Sequence, residues 1–217
     1  MDILKATPEL LAEYMNFLLT FTRKPGEAIG LKTATTEVAE PAVSGKLVLF
    51  SLLSVGAAVV IVQVGAAIGM AEDSSLMVKV AGGLDEKVLP VAVLVAIMAL
   101  SSIAHVFLRV GALLAVVLGQ EQKPFRGSIT GSVNAALGFA AWSIPLMTAA
   151  IVSLRIAAAN QETLNPIVIA IVGVSFGLAF WYYFIAAFAG AHRITAFHAG
   201  SLFTLTFVLV FFLGKLF

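Results

Sequence analysis

Five long apolar runs govern what this chain can become. They cover Leu47 to Ala71, Val88 to Leu118, Ser128 to Leu154, Pro166 to Ala189 and Ile194 to Gly214. Each reaches the roughly 20 residues that a helix needs to cross about 30 Å of hydrocarbon. Backbone N–H and C=O groups find no partner in lipid, so such a run has to be helical. The expected fold class is an all-α integral membrane protein, a five-transmembrane-helix bundle with an N-terminal amphipathic cytoplasmic helix. Composition agrees, because 60% of the 217 residues are hydrophobic and only 12% are charged, a balance outside the range of soluble domains. The second run holds about 31 residues, about 46 Å at a rise of ~1.5 Å, so it must tilt or project.

Residues 1–46 differ in kind from the transmembrane domain at 47–217. The start MDILKATPELLAEY lacks the positive region and apolar core of a signal peptide, so insertion is expected to use an internal span. Thr7-Pro8-Glu9 reads as a helix start, with Thr7 as cap and Pro8 in the first turn. Leu10, Leu11, Tyr14, Phe17, Leu18 and Phe21 then recur at helical spacing, which predicts one apolar face. That face has two outlets: it can lie in the membrane surface, with Arg23 and Lys24 at the headgroups, or pack on the cytoplasmic end of the bundle. Pro25-Gly26 is expected to break the helix, and Thr33 to Ser44 reads as a polar linker.

Charge excludes several function classes. The net charge is +1 and there is no Cys. Nothing supplies the basic field that nucleic acid requires, and disulfides, thiolate metal sites and cysteine nucleophiles are absent. The Lys and Arg residues orient the spans: Lys5, Arg23, Lys24, Lys32, Lys46, Lys123, Arg126 and Arg193 fall on the N-terminal side, against Lys79, Lys87, Arg155 and Lys215 opposite. This places the N-terminus in the cytoplasm and the C-terminus outside.

Polar residues inside spans are expensive, so each is a functional candidate. They are Gln63, His105, Arg109, Asn134 and His198, and no span contains Asp or Glu. His105 and Arg109 are four apart and share one helix face. In the third span Gly127, Gly131, Asn134, Gly138, Ala141 and Pro145 form a stripe of small and polar residues, and Gly127-xxx-Gly131 has the spacing of a membrane packing motif. A hairpin centred near residue 122 sets this stripe against the His105/Arg109 face. Three readings of Arg109 follow: it snorkels to the interface, it is satisfied by Asn134 and by an Ala141 carbonyl freed by Pro145, or it forms a transport or ligand site.

Gly173-Val-Ser175-Phe-Gly177 matches Gly-x-Ser-x-Gly, with His198 on the next helix. Counting from a turn near residue 192 offsets Ser175 and His198 by about 16 Å at ~1.5 Å per residue, too far for a hydrolase pair. Gly173 and Gly177 therefore read as a second packing face. His192 and His198 fall on different faces and His105 stands alone, so no metal site is expected. His192-Arg193 is placed in a loop, and Trp181, Tyr182 and Tyr183 read as an interfacial aromatic belt. No catalytic residue and no cofactor is expected.

The long apolar helix ending at Gly119, a short polar loop with Phe125, Ala135-Ala136, and Pro145 about twenty residues after that Phe resemble the Yip family of five-span membrane proteins, named for interaction with Ypt/Rab GTPases. The tail FIAAFAGAHRITAFHAGSLF, where His192 begins a short loop, and FLLTFTRKPGEAIG, with Pro25 in the matching place, are similar to the bacterial branch. The chain departs from the family where a Tyr often precedes the proline; Gly138-Phe139 stands there. The resemblance implies five spans and self-association, with vesicle traffic and membrane shaping for eukaryotic members. Together these readings give the expected function: a non-enzymatic inner-membrane scaffold or accessory subunit whose partners are the lipid bilayer and a second copy or another membrane protein. The alternative is a small-molecule or ion transporter or channel using the His105/Arg109 face.

Overall fold

The computed structural model describes residues 8–29, 42–68, 88–120, 125, 127–159 and 166–216. These residues form seven helices: α1 (Pro8–Arg23), α2 (Pro25–Ile29), α3 (Gly45–Ile68), α4 (Val88–Val117), α5 (Ile129–Ala159), α6 (Pro166–His192) and α7 (Ala196–Leu216). Helices α3 to α7 are each long and apolar enough to cross a membrane, and the chain is an all-α integral membrane protein. The cap expected at Thr7, most of the 33–44 linker and the loop residues Lys123 and Arg126 lie outside the described residues.

Helix ends follow local chemistry. Gly119 adopts φ +69° at the end of α4, where Gln120 N–H donates to Ala115 O at 2.8 Å and Gly119 N–H to Val116 O at 3.0 Å. This is a Schellman closure, with the achiral residue at its left-handed position. The same closure ends α6: Ile194 N–H reaches Ala189 O at 3.0 Å, but Arg193 occupies the left-handed position at φ +55°. Thr195 then caps α7 by accepting the His198 N–H at 3.1 Å, and Ser128 caps α5 by accepting the Gly131 N–H at 3.1 Å. The resulting α6–α7 turn is tighter than expected, so α6 continues through His192 instead of stopping at Ala189.

Helix α5 is the central post. Every residue from Gly131 to Gly138, and again from Ala140 to Ser143, is buried, because α3, α4, α6 and the α1–α2 pair all pack on it. Helices α4 and α7 form a second close pair. Gly111 lies against the Leu202 backbone so tightly that a Cβ would overlap it, and Thr206 Oγ1 donates to Phe107 O at 2.7 Å.

Helix α1 settles between its two outlets on the protein side. Tyr14, Phe17 and Phe21 are buried, their rings packed against Phe50 of α3, Trp142 of α5 and Tyr183 of α6. Tyr14 donates to Ala141 O at 3.0 Å, and Trp142 Nε1 donates to Thr22 Oγ1 at 2.9 Å. Tyr14 and Thr22, about 12 Å apart along a helix, thus meet adjacent residues of α5. Its opposite face, Leu11, Met15 and Leu19, remains exposed. After the break at Lys24, Pro25 opens the short α2, which was not expected; Gly26 lies against Gly190 of α6.

Candidate functional site

The polar residues of the spans separate into two groups. Asn134 is 2% exposed, and its amide is fully committed to the entry of α3: Oδ1 accepts the Ser44 N–H at 2.8 Å and Nδ2 donates to Ala42 O at 3.2 Å. Of the three readings of Arg109, this removes the pairing with Asn134. The Ala141 carbonyl freed by Pro145 is taken by Tyr14, also not by Arg109. Arg109 is exposed, and its Nη2 reaches Gly127 O at 3.4 Å, the geometry of a side chain extended along the surface toward a helix end. Gln63 is exposed on α3 and joins neither group.

His105 does not stand alone. Its Nδ1 lies 3.0 Å from Ser132 Oγ, and the same oxygen lies 2.9 Å from His192 Nε2. One serine on α5 thus links histidines on α4 and α6, with the ring centroids 6.3 Å apart. Ser132 is fully buried and His105 is 8% exposed. The stripe Gly127, Gly131, Gly138 explains how the link is built, although it does not face α4 as expected. A Cβ on Gly131 would stand 2.9 Å from the His192 ring, and one on Gly127 would overlap Phe125. Phe125 meets the ring edge-on at 4.9 Å. The glycines therefore leave the volume that the imidazole fills, while Gly138 receives Ile29 of α2 and Phe17 of α1.

His192 was expected in a loop and Ser132 was not singled out. The available signal was the glycine pair one turn apart opposite an aromatic ring. No group of three or more His, Asp or Glu converges among the described residues. Two cavities lie elsewhere: one of about 460 Å³ between α1, α2, α3 and α5 that includes Glu13, Lys46 and Asn134, and one of about 410 Å³ between α6 and α7 beside Trp181.

The aromatic belt divides. Trp181 and Tyr182 are exposed, whereas the Tyr183 ring packs against Trp142 with centroids 4.3 Å apart and its hydroxyl donates to Thr22 O at 2.8 Å. Farther along α6, every residue from Ile169 to Ala179 is exposed. Gly173 and Gly177 have nothing within 4 Å of the Cβ they lack, so this packing motif has no partner helix within the described residues, and Ser175 is exposed beside it. No family model, curated protein or solved structure matches the chain.

Proposed function

We propose that this protein is a non-enzymatic scaffold or accessory subunit of a bacterial inner membrane, assembling with a second copy of itself through the first half of α6. The observation that carries this is the exposure of residues 169–179 on all sides, with Gly173 and Gly177 open. Helices do not associate in lipid by burying apolar surface, since lipid is equally apolar; they associate where small residues admit backbone approach. A Gly-xxx-Gly face meeting its own copy about a two-fold axis is self-complementary. Positively charged residues on the N-terminal side favour a cytoplasmic N-terminus. The exposed Leu11, Met15 and Leu19 suit an α1 whose outer face rests in the membrane surface. The resemblance to the Yip family, whose members associate with one another, is consistent with this reading.

The chain has no Cys, so Ala170→Cys, three residues before Gly173 and seven before Gly177, introduces a single reporter on the helix face of the two glycines. Oxidation in native membranes is expected to yield a covalent dimer, lost when Gly173→Ile and Gly177→Ile are added. A protein that stays monomeric in membranes and in mild detergent, with no partner co-purifying, would overturn the proposal.

A further inference from the structure

Ser132 has an unusual task. Its hydroxyl carries one proton and two lone pairs, and two imidazole nitrogens from different helices face it at 3.0 and 2.9 Å. The hydroxyl proton goes to one ring at a time, and the other ring must then present its own N–H to the oxygen. Two arrangements satisfy all three groups. In one, His105 Nδ1–H donates to Ser132, which donates to His192 Nε2; in the other, every donor and acceptor is reversed. They differ in the positions of protons, with the heavy atoms already in place.

We propose that His105, Ser132 and His192 form a proton-loading site, in which a proton taken up at His192 passes through the Ser132 hydroxyl to His105 in the α4 span. In the transfer the His192 Nε2–H bond breaks as that proton bonds to Oγ, and the Oγ–H bond breaks as its proton bonds to His105 Nδ1. His192 ends neutral with a proton on Nδ1, His105 ends as imidazolium, and the total charge is unchanged. His192 is the entry because it is the last residue of α6 and only partly buried, whereas His105 is buried.

The surroundings set the capacity at one proton. Arg109 stands one turn along α4, Arg193 follows His192 in the turn, and His198 lies on α7; α5 presents no titratable side chain between Ile129 and Leu154. Helices α3 to α7 carry no carboxylate among the described residues. A second proton would arrive beside the first and beside a permanent guanidinium, with no carboxylate on α3 to α7 among the described residues to offset it, and a lone hydroxyl cannot accept from two imidazolium rings and still place its own proton on either. This site stands independently of the assembly reading.

The test uses the full chain in lipid nanodiscs with isotope-labelled histidine, reading the imidazole nitrogen shifts against pH. In the wild type the two rings are expected to hold the same tautomer, both Nδ1–H or both Nε2–H, and to respond to acid together, with one shared midpoint followed by a delayed second protonation. Ser132→Ala is expected to split the shared midpoint into two independent ones, while Ser132→Thr, which keeps the hydroxyl, retains it. Unlike tautomers in the wild type, or rings that titrate separately there, would overturn the proposal without recourse to any variant. A shared midpoint that persists in Ser132→Ala would overturn the role of the serine.

Discussion

The Tyr14 hydroxyl donates to the Ala141 carbonyl across 127 positions of sequence, at 3.0 Å. The acceptor is available because Pro145, four residues on, has no N–H to offer it. A proline that would otherwise leave an orphan acceptor in the central helix thus becomes the anchor point for α1. Tyr14→Phe is expected to destabilise the protein by about 1–3 kcal/mol, the range for stranding a buried acceptor. In a Pro145→Ala background α5 can satisfy Ala141 itself, and the penalty of Tyr14→Phe should shrink. Thermal unfolding in detergent across the four proteins of this cycle measures the coupling.

The same hydroxyl predicts an alkaline limit. Burial pushes the Tyr14 phenol up from 10.0 to about 12, a contact with Ser54 opposing the shift. In the unfolded chain the phenol ionises at its ordinary value, while in the folded chain it stays neutral to higher pH. Stability from this group is therefore complete below pH 10 and is lost as pH rises toward 12, by about 3 kcal/mol in all. Unfolding followed against pH should show that loss in the wild type and a flatter profile in Tyr14→Phe.

Asn134 and Arg109 should behave oppositely on substitution. Asn134→Leu strands the Ser44 N–H and the Ala42 carbonyl, with an expected loss of about 1–3 kcal/mol and faster hydrogen exchange at the first turn of α3. Arg109→Leu removes one long contact from an exposed side chain, so stability should change by less than about 1 kcal/mol.

The glycines divide by what faces them. Gly111→Ala and Gly190→Ala place a methyl group against the backbones of Leu202 and Gly26, where neither side can yield cheaply. Each should cost about 3 kcal/mol or more. Gly173→Ala meets nothing among the described residues and should not lower the unfolding temperature of the monomer.

Arg193 holds a left-handed backbone conformation that glycine adopts without strain. Arg193→Gly is expected to stabilise the protein by about 1 kcal/mol, a gain visible as a small rise in melting temperature.

Five spans, the helical N-terminal segment and its buried aromatic face were legible because each rests on a local pattern: run length, period and proline punctuation. The partners of α5 were not. A hairpin argument assigns its small-residue stripe to the helix just before it, but α5 is surrounded, so Gly127 and Gly131 serve His192 of α6 and Gly138 serves α1 and α2. Arg109 and Asn134 stood at similar depth by residue counting, yet depth says nothing about azimuth, and Asn134 turns toward Ser44. His192 was misplaced for a related reason. Nothing in Ala191-His192-Arg193 announces that Arg193 takes the turn and leaves the histidine inside the last helical turn.

The position of α1 also bears on how the chain is made. Its sixteen residues leave the ribosome before any of the spans, yet the tryptophan that meets Thr22 follows 120 positions later and the tyrosine that does so 161 positions later. Until α6 has been synthesised, the seat for Tyr14 and Phe21 is incomplete. The N-terminal helix is therefore held in waiting through most of translation, and its closing over α5 marks the moment when the spans have come together.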